Sequence, residues 1–233
     1  MKTLTTLFVT ALLCAHSLNG QNLTDSLKAH YPFNNSLQDI STYGNNLSVY
    51  GGISPYVSVT GNNFALTFNG SDRLISSLVF DASSFTEMAI SIWIKTTTIT
   101  DSSDQIILQG ANIGFGLGIA PHTGKLLAFF DGSSQGSYIS NAALTDGNWH
   151  NVIMQTNGST TSVFIDGVFD GSVVESLFPA SGGLDNKIFV GASSFNTRGF
   201  TGAVYELRIY NRTLSTNEIN TLFQKPLSIA DAP

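Results

Sequence analysis

Apolar residues recur at every second position along most of this chain, and almost nowhere at helical spacing. The segment Ala89-Ile90-Ser91-Ile92-Trp93-Ile94-Lys95 is the clearest case. Ile90, Ile92 and Ile94 share one face, and small or polar residues share the other with Trp93. That is the period of an antiparallel strand with one buried face. Similar segments at 46–51, 64–68, 73–79, 105–109, 113–119, 125–130, 187–191 and 202–210 predict further strands. Gly, Asn, Asp and Ser punctuate them at short intervals, the signature of a sandwich or barrel.

The sharpest local prediction is a three-strand meander. Residues 148–156 read as a strand, Asn157-Gly158 as a tight turn, and 160–165 as the returning strand. Asp166-Gly167 is a second turn of the same kind, followed by a strand over 168–175. Asn-Gly and Asp-Gly supply the positive φ angles that two-residue hairpin turns demand. One short helix is predicted near the C-terminus. Ser215 and Glu218 have capping-box spacing, Leu214 and Ile219 can form a hydrophobic staple, Leu222 and Phe223 continue the apolar face, and Pro226 ends it.

Length and composition narrow the picture. The chain has 233 residues, which suits one large all-β domain. Charged residues are 11% against a usual quarter or so, and the formal net charge is −6. With no Lys/Arg cluster there is no cationic footprint for nucleic acid. Lys2 followed by an apolar run from Leu4 to Ala15 reads as a secretory signal peptide over 1–20. The run is too short to span a bilayer, which takes about 20 apolar residues. Cleavage after Ser17 or after Gly20 fits the small residues there. Cys14, the single cysteine, falls inside the leader, and the bulky Leu13 before it argues against a lipidated N-terminus. The expected organisation is a leader (1–20), one domain (21–225) and a disordered tail (226–233), with no internal repeat. Six Asn-x-Ser/Thr sequons, at Asn22, Asn34, Asn46, Asn69, Asn157 and Asn211, mark a polar surface.

Five ordered stretches resemble the laminin-G-like, concanavalin A-like jelly-roll domains common in secreted bacterial proteins. They are Tyr31-Pro32-Phe33-Asn34 with Asp39 and Gly44-Asn45-Asn46; Phe68-Asn69-Gly70-Ser71; the Ala89 to Lys95 strand; Trp149-His150-Asn151-Val152 running into Phe164-Ile165-Asp166-Gly167; and Phe200-Thr201-Gly202-Ala203-Val204 with Leu207-Arg208-Ile209-Tyr210-Asn211-Arg212 and the capped helix. The resemblance covers about residues 28–224. It implies an all-β, two-sheet antiparallel jelly-roll sandwich with one short C-terminal helix. It also implies extracellular binding, often of glycans, and frequently one calcium ion. Trp93 and Trp149 are expected to be large fillers between the sheets or beneath the loops.

The resemblance assigns the calcium to Asp39 and the loop at 44–46, with backbone carbonyls completing the shell. The family's second acidic ligand would fall where this sequence has Tyr205, and strict alternation turns the neighbouring Glu206 to the opposite face. Catalysis is not expected. Glycosidases of this superfamily need two carboxylates flanking the bond, whereas Glu87, Glu175, Glu206 and Glu218 are isolated. The pairs Asp101/Asp104 and Asp166/Asp170 sit in or beside turns. No nucleophile elbow, paired-histidine metal motif or phosphate loop occurs.

Loop chemistry suited to sugars mixes amides, carboxylates, hydroxyls and an aromatic platform. The stretch 131–138 offers Asp131, Gln135 and Tyr138; 193–200 offers Phe195 and Arg198; Asn112 opens another loop. These six are the candidate ligand contacts. The expected function is a secreted, non-catalytic lectin-like module for a polysaccharide or cell-surface glycan. The alternatives are a protein-binding adhesion module and a divergent glycoside hydrolase or lyase.

Overall fold

The computed structural model describes residues 22–52, 56–60, 63–79, 85–110, 115–130, 138–174, 187–193 and 197–224. In chain order the strands are β1 (Leu27–Tyr31), β2 (Leu47–Gly51), β3 (Tyr56–Thr60), β4 (Asn63–Asn69), β5 (Arg73–Val79), β6 (Met88–Lys95), β7 (Gln105–Gly110) and β8 (Phe115–Ile119). They continue as β9 (Lys125–Phe130), β10 (Tyr138–Ala143), β11 (His150–Thr156), β12 (Thr161–Ile165), β13 (Val168–Val173), β14 (Lys187–Val190) and β15 (Thr201–Tyr210), followed by the helix α1 (Thr216–Gln224). One sheet has the order β13-β12-β11-β6-β15-β4-β3, with β1 also pairing β15. The other runs β10-β9-β8-β7-β14-β5-β2. Every strand pairing within the two sheets is antiparallel. This is the expected jelly-roll sandwich.

Alternation builds the core. Ile90, Ile92 and Ile94 of β6 join Leu66, Val152, Met154, Val204 and Ile209 in one buried cluster with Leu108, Leu117, Leu126 and Val190 of the facing sheet. Each such side chain contributes about 1.5–3 kcal/mol when fully buried. The same alternation sends Ala89 and Trp93 to the opposite face. There Ala89 packs with Ile153, Tyr210, Leu214, Ile219 and Leu222, so α1 lies on the outside of the first sheet.

The tryptophans correct one expectation. Trp93 and Trp149 are not fillers between the sheets. Both lie on the outer face of the first sheet, clustered with Ala65, Ala203, Tyr205 and Phe223. Trp93 is buried there beneath the helix, its ring stacked on Phe223 at 5.9 Å and 13°. Trp149 is only half-buried.

Of the two predicted tight turns, one forms. Asp166 and Gly167 both have positive φ, 52° and 78°, and the Ile165–Val168 pair closes the hairpin. At Asn157-Gly158 only Gly158 is left-handed, and the closing pair is Thr156–Thr161. The loop is therefore four residues long. Asn157 Oδ1 accepts from the Ser159 and Thr160 amides, so its side chain shapes the turn instead of its own φ.

A β-bulge overturns the strict alternation expected at Glu206. Tyr205 pairs with Trp93 and Arg208 with Ser91, so Glu206 and Leu207 together oppose Ile92. Glu206 takes φ 53°. The extra residue lets Val204, Leu207 and Ile209 all face the core. It also leaves the Glu206 carboxylate on the outer face, bonded to His30 Nε2 at 2.8 Å and to the Arg208 guanidinium. Along this same edge, β15 pairs β4 through Thr201–Val204 and β1 through Leu207–Tyr210.

The helix start matches its prediction. Glu218 N–H donates to Ser215 Oγ at 3.3 Å, and Ser215 N–H donates to Glu218 Oε2 at 2.8 Å. Arg212 grips the same carboxylate at 2.6 and 3.0 Å. These bonds, the Arg212 contact first, hold the Glu218 carboxyl down at about 2. The strands β1, β3 and β10 are not among the segments predicted from alternation; of the resembling opening stretch Tyr31–Asn34, only Tyr31 lies in a strand.

Candidate functional site

A cleft of about 470 Å³ opens on the outer face of the first sheet, at the end away from α1's first turn. Its floor follows from strand register. Ala203 pairs with Thr67 on one side and with Lys95 on the other. His150 pairs with Ile94, which puts Trp149 beside Lys95. Thr67, Ala203, Lys95 and Trp149 thus form one row across four strands. The next row, Ala65, Tyr205, Trp93 and Asn151, is the buried aromatic layer behind it. Thr96, Thr97 and Thr98 form one wall, Thr201 contributes to the other, and Gly147 closes the Trp149 end.

Hydrogen bonds hold these walls. Thr96 Oγ1 donates to the Thr201 carbonyl at 2.6 Å. The buried Gln105 ties both walls together: its Nε2 donates to the Thr98 carbonyl at 2.8 Å, and its Oε1 accepts from Thr201 N–H at 3.0 Å. Gly147 has φ 84°, a conformation that a side chain resists. Beside it, His150 is clamped between Asp166 (Nδ1 to Oδ2, 2.8 Å) and Asp146 (Nε2 to Oδ1, 3.1 Å). The Asp166 bond is the chief cause that raises the imidazole pKa, against the opposing effect of burial. Asp146 is held down at about 2, chiefly by the Asn148 amide and side chain. This Asp146–His150–Asp166 bridge fixes the backbone on either side of Trp149.

Among the described residues the cleft offers an indole, hydroxyls and one cation. The hydroxyls of Thr97, Thr98 and Thr201 have no protein partner among the described residues. Each can donate and accept. Trp149 meets Tyr205 edge to face and keeps part of its surface open. Lys95 is exposed. Among the described residues no carboxylate lines the cleft.

The sequence-predicted contacts sit elsewhere or outside the described residues. Asn112, Asp131, Gln135 and Phe195 fall outside them. Tyr138 begins β10, and its hydroxyl donates to Asp170 Oδ2 of β13 at 2.7 Å. Asn141 Nδ2 donates to the Asp170 carbonyl at 2.9 Å. Tyr138 thus clips together the adjoining edges of the two sheets. Burial, and then the Asp170 bond, raise its phenol to about 12. Arg198 is exposed and paired with Asp104, its Nη1 lying 3.1 Å from both carboxylate oxygens. It lies three residues before Thr201, beside the cleft but outside its lining. The signal that was passed over is Thr96-Thr97-Thr98, a hydroxyl run directly after the most regular strand.

Asp39 was the expected calcium anchor. Its carboxylate is buried and takes four protein donors. Oδ1 accepts from the His30 and Ser41 amides, both at 2.8 Å; Oδ2 accepts from Ser41 Oγ and the Asn45 amide, both at 2.7 Å. A carboxylate has about four lone-pair sites, so all are taken by protons. Such a donor set does not suit a cation. Among the described residues no group of three or more His, Cys, Asp or Glu could hold a metal ion.

Two packed antiparallel sheets with a ligand-sized cleft on one outer face define a β-sandwich of the lectin-like class. The pattern of the concanavalin A-like lectin/glucanases superfamily matches residues 68–220, and the chain belongs to that family. Domain 4 of AbnA, a GH43 extracellular arabinanase from Geobacillus stearothermophilus, solved in complex with arabinotriose, is similar at 21% identity. Its TM-score is 0.66, over 85% of this chain and 98% of that one. The binding domain of Paraclostridial Mosquitocidal Protein 1 is similar at 15% identity and TM-score 0.67, over 87% of this chain and 53% of that one. The binding domain of botulinum neurotoxin DC, in complex with SialylT, has 17% identity and TM-score 0.67 over 87% and 52%. The chain therefore spans about half the length of those toxin binding domains. At such identities the likeness is one of fold. No curated protein sequence matches this chain. No helix among the described residues is long and apolar enough to cross a membrane.

Proposed function

We propose that this protein is a secreted, non-catalytic module that binds a polysaccharide or cell-surface glycan in the cleft at Trp149. The observation that carries this reading is the half-buried indole of Trp149 in the cleft lining, set beside the Thr97, Thr98 and Thr201 hydroxyls, which no protein group among the described residues uses. Sugars present a C–H face for an aromatic ring and hydroxyls for hydrogen bonds, and small-ligand sites combine an apolar wall with few polar anchors. The family and the arabinotriose complex of a similar domain support a glycan over other small ligands. Lys2 and the apolar run that follows support export. The absence of carboxylates among the described lining residues supports binding without hydrolysis, since glycosidases of this superfamily use two.

A glycan array probed with wild type and Trp149→Ala tests the reading. Signals competed by free sugar and lost in the variant are expected. A positive array unaffected by Trp149→Ala moves the site elsewhere, and release of reducing sugar from a bound polysaccharide overturns the non-catalytic assignment. Val168 and Phe169 are exposed on the edge strand β13, which favours protein adhesion as the second reading. Pull-down of a protein with no competition by sugar would support it.

A further inference from the structure

We infer that the cleft selects carboxylate-bearing sugars, and that Lys95 is the residue that reads the acid. This rests on the glycan reading above and adds the ligand's chemical class. Lys95 is the one charged side chain among the described residues of the lining. It is exposed, and among the described residues no carboxylate pairs with its ammonium.

The surroundings keep it unpaired. Asp146, next to Gly147 of the lining, is committed to Asn148 and His150. Asp104, on the Thr201 side, is committed to Arg198. The other described arginines each meet an acidic partner, an aromatic ring or a backbone carbonyl. Lys95 instead sits in the middle of the Thr67–Ala203–Lys95–Trp149 row, between the hydroxyls and the indole. A pyranose lying on Trp149 would bring a ring substituent within reach of the ammonium. The chain as a whole carries −6, which repels anions at long range. An acidic sugar is therefore accepted through one local charge-assisted hydrogen bond, and that contact is where selectivity resides.

The test compares matched probes: polygalacturonate with its carboxyl-reduced form, and sialyllactose with lactose. Affinity is measured for wild type, Lys95→Gln, and Lys125→Gln on the other sheet as control. Wild type and the control are expected to bind an acidic member about tenfold tighter than its neutral counterpart, with Lys95→Gln bringing the two within about twofold. The responding pair tells a uronic acid from a sialic acid. Equal wild-type affinity within both pairs, or a preference that survives Lys95→Gln, overturns the inference and leaves the glycan reading standing. So does failure to bind all four probes while the array shows neutral glycans. Silence on both the probes and the array ends both.

Discussion

The indole of Trp149 stands edge-on to the phenol of Tyr205, with ring centroids 6.4 Å apart and planes at 63°. Tyr205 is buried, and Trp149 is half-buried. The contact makes Tyr205 a backstop that orients the indole from behind while part of its surface stays open to the cleft. On the proposed glycan reading, one residue serves packing on one side and recognition on the other.

Trp149→Ala should therefore cost less stability than a fully buried tryptophan. We expect about 1–2 kcal/mol by urea denaturation, against roughly 3–5 for a core position. Glycan affinity should fall by at least about tenfold in the same variant. A loss above 3 kcal/mol would return Trp149 to a purely structural role.

Ser215→Ala should cost about 1 kcal/mol, because it removes the acceptor for Glu218 N–H at the helix start. The denaturation midpoint measures it. Acid adds a second readout. The folded Glu218 carboxyl lies at about 2, below its ordinary value of 4.5. Its contribution is thus present above pH 4.5 and lost as pH falls through about 2. Glu218→Gln should flatten stability across that window.

His150 should produce the opposite slope. Its folded pKa is raised above 6.5, first by Asp166. The stability it adds is fully present below 6.5 and is lost as pH rises through the raised value. Wild type should lose more melting temperature between pH 5.5 and 9 than His150→Gln. Equal losses would mean that the Asp146–His150–Asp166 bridge contributes nothing.

Glu206 combines a left-handed backbone with a carboxylate on the nearly buried Arg208. Glu206→Ala leaves that guanidinium without its acid and should cost about 3 kcal/mol. Glu206→Gly should be about 1 kcal/mol milder, because glycine tolerates the positive φ. Urea midpoints of the two variants separate charge from backbone.

Calcium should leave the melting temperature unchanged, with or without chelator, since four protein donors already occupy the Asp39 carboxylate. A rise of several degrees with calcium would mean that the loop rearranges to admit the ion. Asp39→Ala should destabilise by about 2 kcal/mol, because it orphans three backbone amides and a hydroxyl.

Much of this was readable from residues alone. The alternation in β6 already sets Trp93 opposite Ile90, Ile92 and Ile94, and the same parity through Val152 sets Trp149 outward. Expecting either indole between the sheets set aside that evidence in favour of general burial preference. The Ser215 cap and the Asp166-Gly167 turn were legible because each depends on fewer than six neighbouring residues. Asn157-Gly158 misled because the Asn157 side chain could satisfy two amides and hold a wider loop open. Tyr138 looked like a sugar platform because nothing in its neighbourhood names Asp170, 32 residues away.

By itself the sequence determined which face each side chain takes along a strand, where the chain turns, and how the helix begins. These depend on local sterics and on hydrogen bonds between near neighbours. Only the tertiary structure decided that Thr67, Lys95, Trp149 and Ala203 share a row, and that Asp39 spends its lone pairs on amides. Register between distant strands is set by the packing of the whole core and by the bulge at Glu206, and no short segment contains that information.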